Sequence, residues 1–504
     1  MEALEKLKKE LRVIANFHGA ASLLHWDQET FMPPGGGDAR AEQIALLETL
    51  AHEHLVGEKI TSSLGELVNL SNGKPNPSLS TENQRLAAET WRTYHRAAAL
   101  PPDFVEDLSK TTSRAQQIWA DARKKNDFQA FAPWLEKIIQ LKHKEIEYIG
   151  AKETPYDTLL DGFEPEMTSG EVTRLFNDVR DRLIPLVKKI KIANVDTGQE
   201  VLKRKYDLDK QWAFGLDILK DMGYDLNCGR QDRSAHPFTI SFHPSDVRIT
   251  TRIDEHDFLS GFSSTVHEGG HGLYEQGLSA DWFGTPFGEA ISYGIHESQS
   301  RLWENLVGLS RPFWEHYYPK LQKLFPENLS ETSLDQFYRA INTVKPSLIR
   351  VDADEATYNL HIMLRFEIEK QIINEGIPVS ELPTLWDDTM EEYLGIRPDK
   401  DANGVLQDVH WSFGGFGYFP TYALGNLYNV PILNQAKKEI SDLENNIANG
   451  NLLELREWLR KNVHEIGRRK TAAELILSLT GQPLSAEPFM DYLENKYTEV
   501  YNLS

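Results

Sequence analysis

The sequence is nearly free of cysteine. Among its 504 residues, Cys228 is the single one. A disulfide needs two thiols and the cysteine-based zinc sites need at least two, so one chain can form neither. A metal ion bound by this chain would therefore need His, Asp or Glu ligands.

The sequence also has fewer basic residues than acidic ones. Lys and Arg number 54 against 76 Asp and Glu, which gives a formal net charge of −22. Nucleic acids and anionic membrane surfaces are bound through clustered Lys and Arg, so this balance argues against both classes of partner.

Long apolar segments are missing as well. The N-terminal residues mix charged and apolar side chains and carry no signal-peptide core, which predicts a cytoplasmic protein. The main charge-free segment, residues 411–436, contains four Gly, two Pro and three Asn. Such a composition cannot form a membrane-spanning helix.

What the sequence does contain is helical periodicity. Apolar residues recur at steps of three and four, as in Leu4, Leu7, Leu11 and Ile14. Two candidate helix starts carry a Thr followed three residues later by Gln or Glu: Thr81 with Gln84, and Thr168 with Glu171. We therefore expect a mainly α protein. Length alone suggests about three domains, but no linker or repeat divides the chain, and the one boundary we can suggest is an N-terminal helical lobe over about residues 1–130.

One segment predicts strands. Residues 239–242 and 247–253 are rich in β-branched side chains in alternation, and Pro and Asp lie between the two runs. This pattern is typical of a β-hairpin. Asp246, Arg248 and Thr250 alternate along it, so we expect them to share one face.

The strongest chemical signal is His267-Glu268-Gly269-Gly270-His271, which matches H-E-x-x-H. On a helix, residues i and i+4 share a face, so both imidazoles can bind one ion, and Glu268 can take a proton from a water that the ion activates. Matches this short also occur in proteins without metal. Two features favour the catalytic interpretation: the paired glycines, which suit a helix in close contact with another backbone, and the hairpin upstream, where many zinc peptidases have a strand that binds substrate.

A catalytic zinc needs a third protein ligand and an open position. Tyr274 and Gly277 stand where the metzincin pattern needs Gly and His, so that class is excluded. A downstream carboxylate is the expected third ligand, and the local candidates are Glu275, Glu289, Glu297 and Glu304. Glu275 would have difficulty reaching the ion from the same helix. Glu289 and Glu297 both fall on a helix predicted over residues 288–301, and spacing cannot separate them; the one that is not a ligand would orient a ligand imidazole.

Further motifs follow one another along the chain. They are H-P-F at 236–238, D-x-R-x-T at 246–250, H-E-S-Q at 296–299, I-R-x-x-A-D at 349–354 and G-x-x-Q-D-x-H-W at 404–411. With the H-E-x-x-H element between them, these motifs make the sequence resemble the M32 metallocarboxypeptidases, whose type member is carboxypeptidase Taq.

The resemblance implies more than spacing does. It implies that Glu297 is the third zinc ligand, beside His267 and His271. It implies one almost wholly helical, saddle-like domain over residues 1–504, split by a deep groove with a few strands beside it, similar to neurolysin and angiotensin-converting enzyme 2. The implied activity is removal of single residues from peptide C-termini with broad side-chain tolerance, and members are typically homodimers. Cobalt or manganese could occupy the same ligands.

A carboxypeptidase must recognise a free carboxylate, for which the planar guanidinium of Arg is a suitable donor. The motif match makes Arg350 the first candidate and Arg248 the second. The alternative for either is a structural ion pair, for instance Arg350 with Asp352 or Asp354.

Other substrate contacts could come from the hairpin and the segment before it. Asp246, Arg248 and Thr250 could line the end of the groove and limit how substrate enters. His236, in the H-P-F motif, is a candidate contact, although a lone His is more often a hydrogen-bonded structural residue.

The charge-free segment offers candidates for the oxyanion site. His410 immediately precedes it, and a neutral imidazole there, or the hydroxyl of Tyr418 or Tyr422, could stabilise the tetrahedral oxyanion. The alternative is that the segment is a buried, tightly turning part of the core.

The predicted mechanism is zinc-assisted hydrolysis of peptides with a free C-terminus. Glu268 deprotonates the attacking water and protonates the leaving amine, while Arg350 anchors the terminal carboxylate. An oligoendopeptidase on the same scaffold is a rival; it should cut a C-terminally amidated peptide, whereas a carboxylate-anchored exopeptidase should not. A non-catalytic peptide-binding protein with a structural metal fits poorly, because Glu268 is present and structural zinc usually has four protein ligands.

Overall fold

The structure, a computed structural model, describes residues 2–503 and is built mainly of helices, as predicted. In chain order the helices are α1 (Glu2–Thr30), α2 (Gly37–Val56), α3 (Glu58–Leu67), α4 (Thr81–Ala98), α5 (Pro102–Lys125), α6 (Phe128–Ile149), α7 (Pro155–Leu160), α8 (Ser169–Ala193), α9 (Leu208–Met222), α10 (Phe258–Gly277), α11 (Tyr293–Arg301), α12 (Arg311–Leu324), α13 (Pro326–Leu329), α14 (Leu334–Ile341), α15 (Thr357–Lys370), α16 (Leu382–Leu394), α17 (Pro420–Glu439), α18 (Leu443–Ala448), α19 (Leu453–Asn462), α20 (Ala472–Thr480) and α21 (Glu487–Tyr501). Within residues 2–503, no helix is long and apolar enough to cross a bilayer.

The strands form one small sheet. They are β1 (Gly229–Arg233), β2 (Thr239–His243) and β3 (Asp246–Thr251), in the order β1-β3-β2. β2 and β3 pair antiparallel, which confirms the predicted hairpin. β1 pairs parallel with β3 and was not predicted, because Gly-Arg-Gln-Asp-Arg contains none of the β-branched or aromatic residues that indicate a strand.

The chain forms two compact units. Unit 1 contains the segment that ends at Ala98, Thr197–Ile341 and Asn429–Pro483. Unit 2 contains Ala99–Asp196, Asn342–Tyr428 and the segment that begins at Leu484. The sheet, α10 and α11 belong to unit 1. The expectation of one domain with an N-terminal lobe over about residues 1–130 stays a prediction.

The helix signals are mostly confirmed. The periodic residues of α1 are all buried, in one apolar cluster that also contains Leu64 and Phe287. The Thr168 capping box forms as predicted, with Glu171 N donating to the Thr168 hydroxyl (3.2 Å) and Thr168 N donating to the Glu171 carboxylate (3.1 Å). At α4 the prediction was wrong by one residue, since the side chain that accepts from Asn83 N (3.3 Å) belongs to Ser80 and not to Thr81.

The helix predicted over residues 288–301 is shorter in the structure. α11 begins at Tyr293, after Ser292, whose hydroxyl accepts from Ile295 N (3.0 Å). Glu289 therefore lies outside the helix, half-exposed, in an ion pair with Arg468 (2.8 Å).

Candidate metal centre

α10 carries the H-E-x-x-H motif, and its two middle glycines explain its position. A Cβ on Gly270 would lie 2.7 Å from both Gln299 O and Ser300 Cα, so the backbones of α10 and α11 touch there. A Cβ on Gly269 would lie 2.5 Å from Leu219 Cδ2. The predicted close approach of a second backbone is therefore confirmed at Gly270, while Gly269 makes room for a side chain.

This contact brings Glu297 of α11 to the two histidines of α10. Glu297 Oε2 lies 3.7 Å from His267 Nε2 and 3.3 Å from His271 Nε2, and one ligand atom from each residue lies within 4.8 Å of the others. Metal–ligand bonds of about 2.0–2.2 Å in a tetrahedral site separate ligand atoms by roughly 3.3–3.6 Å. The donor set and the two distances from Glu297 therefore suit a zinc-type ion.

The charge states of His271 and Glu297 also suit a cation. Burial lowers the pKa of His271 to about 3, helped by His296 and His267, so its imidazole is neutral as a metal ligand must be. Burial alone would raise the pKa of Glu297, but the charges of His267 and Arg301 and a hydrogen bond with His271 hold it well below its usual range. Glu297 is thus a carboxylate.

Arg301 and Glu304 hold two of the candidate ligands, Glu297 and His267, in place. Arg301 Nε donates to Glu297 Oε1 (2.9 Å), which leaves Oε2 toward the histidines. Glu304 Oε2 lies 2.9 Å from His267 Nδ1 and accepts from Arg301 Nη1 (3.1 Å). Glu304, one of the four carboxylates considered as third ligand, therefore contacts the far nitrogen of a candidate ligand, the role expected of a carboxylate that does not bind the ion itself.

Glu268 is buried beside the candidate ligands. Its Oε2 accepts a hydrogen bond from the hydroxyl of Thr239 (2.6 Å), the first residue of β2. Burial raises the pKa of Glu268. The sequence did not indicate Thr239, because a Thr at a strand start carries no signal of the side chain that it will meet.

In unit 2, Arg350 is buried and paired with Asp408. Its Nε and Nη2 donate to Asp408 Oδ1 (3.0 and 2.8 Å), and Arg365 Nε donates to the other oxygen (2.6 Å). The suggested ion-pair partners of Arg350, Asp352 and Asp354, were wrong. Two guanidinium groups share one carboxylate, so this cluster carries one surplus positive charge.

His410 and the segment after it are largely buried. Burial lowers the pKa of His410 to about 3, so its imidazole is neutral, and its Nε2 lies 3.3 Å from Tyr422 Oη. The rings of His410 and Tyr418 lie 5.5 Å apart. Tight turns occur at Gly414 (φ 78°) and Gly417 (φ 88°). The segment therefore has the buried, turning character of the structural alternative, and a role in oxyanion stabilisation stays a prediction.

The hairpin residues are held by their neighbours. Arg248 Nε and Nη2 donate to the two oxygens of Asp246 (2.9 and 3.0 Å), so these side chains lie together as predicted. Thr250 is fully buried, and its hydroxyl accepts from Ser234 Oγ (2.7 Å). His236 is exposed.

A helical scaffold that brings two histidines of H-E-x-x-H and a glutamate of a second helix to one point, with a buried Glu beside them, defines the H-E-x-x-H metallopeptidases. Comparison with known proteins identifies the family within this class.

The family model described as carboxypeptidase Taq (M32) metallopeptidase matches residues 6–497. Thermostable carboxypeptidase 1 of Thermus thermophilus is 39% identical, with 99% of each chain covered, and carboxypeptidase 1 of Bacillus subtilis is 37% identical, with 98% of this chain and 97% of the relative covered. The crystal structure of the M32 carboxypeptidase from Deinococcus radiodurans R1 superposes with a TM-score of 0.95 at 38% identity over the whole of both chains. The chain belongs to the M32 metallopeptidase family. It is a metallocarboxypeptidase that releases C-terminal amino acids from peptides.

Proposed function

We propose that the chain is a zinc carboxypeptidase in which His267, His271 and Glu297 hold the ion and Glu268 is the general base. The observation that carries this proposal is the group of three donor atoms within 4.8 Å of one another, next to a buried carboxylate. Bound zinc would supply Lewis acidity to the scissile carbonyl and to the attacking water. Cobalt or manganese would fit the same N and O ligands.

Glu268 performs the proton transfers in this proposal. Its carboxylate takes a proton from the attacking water and delivers it to the leaving amine. Thr239 holds the Oε2 atom in place through its 2.6 Å hydrogen bond, so the other oxygen is the one that accepts and returns the proton.

Arg350 is the proposed anchor for the terminal carboxylate of the substrate. The surplus positive charge of the Arg350–Asp408–Arg365 cluster supports this role, because a buried charge without a full counter-charge favours an anionic ligand. Arg248, fully paired with Asp246, has no comparable surplus.

The remaining assignments are also proposals. The neutral His410 and the nearby Tyr422 are the candidates for stabilising the oxyanion, and Tyr418, His236, Asp246 and Thr250 are the candidates for further substrate contacts. We propose broad side-chain tolerance, a homodimer and a cytoplasmic location, all three on the family resemblance and on the composition.

One experiment tests the core of the proposal. A short peptide with a free C-terminus is incubated with the purified chain, with and without a chelator, beside the same peptide amidated at its C-terminus, and products are followed by mass spectrometry. We expect a ladder of single C-terminal losses that the chelator abolishes and no cleavage of the amide. Internal cleavage of the amidated peptide would favour the oligoendopeptidase alternative.

The role of Glu268 needs its own variant. Glu268→Gln should keep one bound metal per chain, because the ligands are unchanged, and should lose at least about a hundredfold in turnover, the usual worth of a positioned general base. Metal content by mass spectrometry and kcat are the two measurements. Full turnover in this variant would contradict the assignment.

A further inference from the structure

The two candidate histidine ligands have different partners on their far nitrogens. His267 Nδ1 contacts a carboxylate, Glu304, directly (2.9 Å). His271 Nδ1 instead contacts another imidazole, with 2.6 Å between it and His296 Nδ1, and His296 Nε2 lies 2.8 Å from Glu275 Oε1. None of these three side chains is more than 22% exposed.

One arrangement of protons satisfies both contacts. If His271 Nε2 binds a metal, its lone pair is used there, so the proton of the neutral ring must be on Nδ1. His271 Nδ1 is then the donor and His296 Nδ1 the acceptor. His296 consequently carries its proton on Nε2, where it faces the acceptor Glu275.

We propose that Glu275 and His296 form a positioning relay that fixes the tautomer and the ring orientation of His271, as Glu304 does directly for His267. The proposal rests on the proposed metal site. In it Glu275, which the sequence offered as a possible ligand, acts on the ion through two imidazoles. His296 is a positioning residue, since it contacts a ligand and not the ion.

The surroundings of His296 favour a fixed orientation. Its ring contacts the rings of both His271 (centroids 4.5 Å apart) and Tyr274 (5.1 Å). The backbone contact of Gly270 with Ser300 fixes the distance between the helices that carry the two imidazoles. Burial would raise the pKa of Glu275, but its hydrogen bonds with His296 and Ser241 act against burial and the pKa is lowered, so the relay ends in a carboxylate.

The test measures metal affinity and not activity alone. His296→Phe keeps a ring next to His271 and Tyr274 but removes the acceptor, so His271 Nδ1–H loses its partner. We expect the zinc Kd, measured by chelator competition, to rise about 10- to 100-fold. The visible absorption of the cobalt-loaded protein should change as well, because the orientation of one ligand is no longer fixed.

The matched control makes the same change at another histidine whose ring contacts Tyr274. His464 is buried, its ring packs on Tyr274 (4.9 Å) and its Nε2 lies 3.0 Å from Gln299 Oε1, yet it contacts no candidate ligand. His464→Phe should lower the thermal midpoint and leave the zinc Kd and the cobalt spectrum unchanged.

A second pair of variants tests the other end of the relay. Glu275→Gln keeps an oxygen acceptor for His296 and should change the zinc Kd by no more than about threefold. Glu275→Leu removes the acceptor and should weaken zinc binding by about tenfold or more.

The outcomes distinguish a failure of the proposed relay from a failure of the proposed metal site. If the wild-type chain binds zinc while His296→Phe and Glu275→Leu, both folded by circular dichroism, bind it equally tightly, the relay is wrong and the metal site stands. If the wild-type chain binds no zinc, cobalt or manganese, the proposed metal site fails and the relay with it.

Discussion

In unit 2, one buried carboxylate is paired with two buried guanidinium groups. Asp408 pairs with both Arg350 (2.8 Å) and Arg365 (2.5 Å), and all three side chains are at most 10% exposed. A buried charge without a counter-charge is unfavourable. An anion that binds next to the surplus guanidinium would supply the missing counter-charge. The cluster is therefore suited to bind a carboxylate, and changes to its arginines should affect substrate binding before they affect chemistry.

Arg350→Lys tests this at one position. The variant keeps the charge but loses the planar group that can bind two oxygens, so KM for a free-acid peptide should rise about tenfold or more, with a smaller change in kcat. Steady-state kinetics give both constants. Arg182→Lys, at a surface pair with Glu494 (2.9 Å), is the matched control and should change neither. An unchanged KM in Arg350→Lys would exclude Arg350 as the anchor.

Glu369 of α15 should make stability depend on pH. Burial raises its pKa from 4.5 to about 7, against the hydrogen bonds it accepts from Tyr156 Oη (2.8 Å), Trp411 Nε1 (2.9 Å) and Gly417 N (3.0 Å). The native state thus binds this proton more tightly than the unfolded state does. Its stabilising effect is complete below about pH 4.5 and is lost as pH rises to about 7, with a slope of at most about 1.4 kcal/mol per pH unit.

The variant Glu369→Gln isolates that contribution. It should remove this part of the pH dependence between about pH 4.5 and 7, and lower stability throughout because Gln offers one acceptor oxygen to three donors. Urea midpoints measured across this range check both effects. Glu367→Gln, at a position on the same helix where the side chain is 25% exposed, is the control and should keep the wild-type slope. An unchanged slope in Glu369→Gln would show that another group causes the dependence.

At the scale of elements, the sequence predicted the features that depend on residues close together in the chain. The period of Leu4, Leu7, Leu11 and Ile14 identifies the buried face of α1, and the capping box at Thr168 marks the start of α8, since both depend on residues within one or two turns. β1 was missed, because its place in the sheet comes from pairing with β3 across a gap in sequence that no local pattern encodes.

The candidate site also contains residues that local spacing predicts and residues that only the fold brings together. His267 and His271 lie about one turn apart on a helix, so spacing alone predicts that they face one point and that Glu268 lies beside the first of them. Spacing could not choose Glu297, and the resemblance did. The residues that orient this group belong to other elements: Thr239 on a strand, His296 and Arg301 on α11, Glu304 beyond it. Each is an ordinary polar residue until the fold brings it to its partner, which is why the sequence did not identify their roles.

The contact between α10 and α11 gives a prediction for a whole element. Ala is the better helix former by about 1 kcal/mol, yet Gly270→Ala should destabilise the protein by about 1–3 kcal/mol, because its Cβ would lie 2.7 Å from the backbone of α11. Pushing α11 away also moves Glu297, so metal affinity should fall with the thermal midpoint.

A matched glycine serves as the control for that change. Gly170 lies in the first turn of α8, where the nearest atom to an added Cβ is 3.9 Å away, so Gly170→Ala should be neutral or slightly stabilising. Calorimetry and chelator competition on both variants check the prediction. Equal midpoints for the two would mean that the close approach has no energetic consequence.

At the scale of the whole molecule, the charge of −22 acts on every substrate before any contact forms. A field of that sign repels anionic peptides and attracts cationic ones, and salt screens both effects once the Debye length falls to about 10 Å or less. The local surplus at Arg350 acts at contact range and does not reverse this long-range field.

Raising NaCl from about 0.01 M to about 0.2 M should therefore shift KM in opposite directions for oppositely charged substrates. For a peptide with several Asp residues ahead of a neutral C-terminal residue, KM should fall severalfold; for the same peptide with Lys in place of Asp, KM should rise; and an uncharged analogue corrects for general effects of salt. Because kcat reports on the bound complex, it should change little in all three. If KM of the acidic and the basic peptide moved together, the surface charge would not govern substrate approach, and only charges local to the bound peptide would matter.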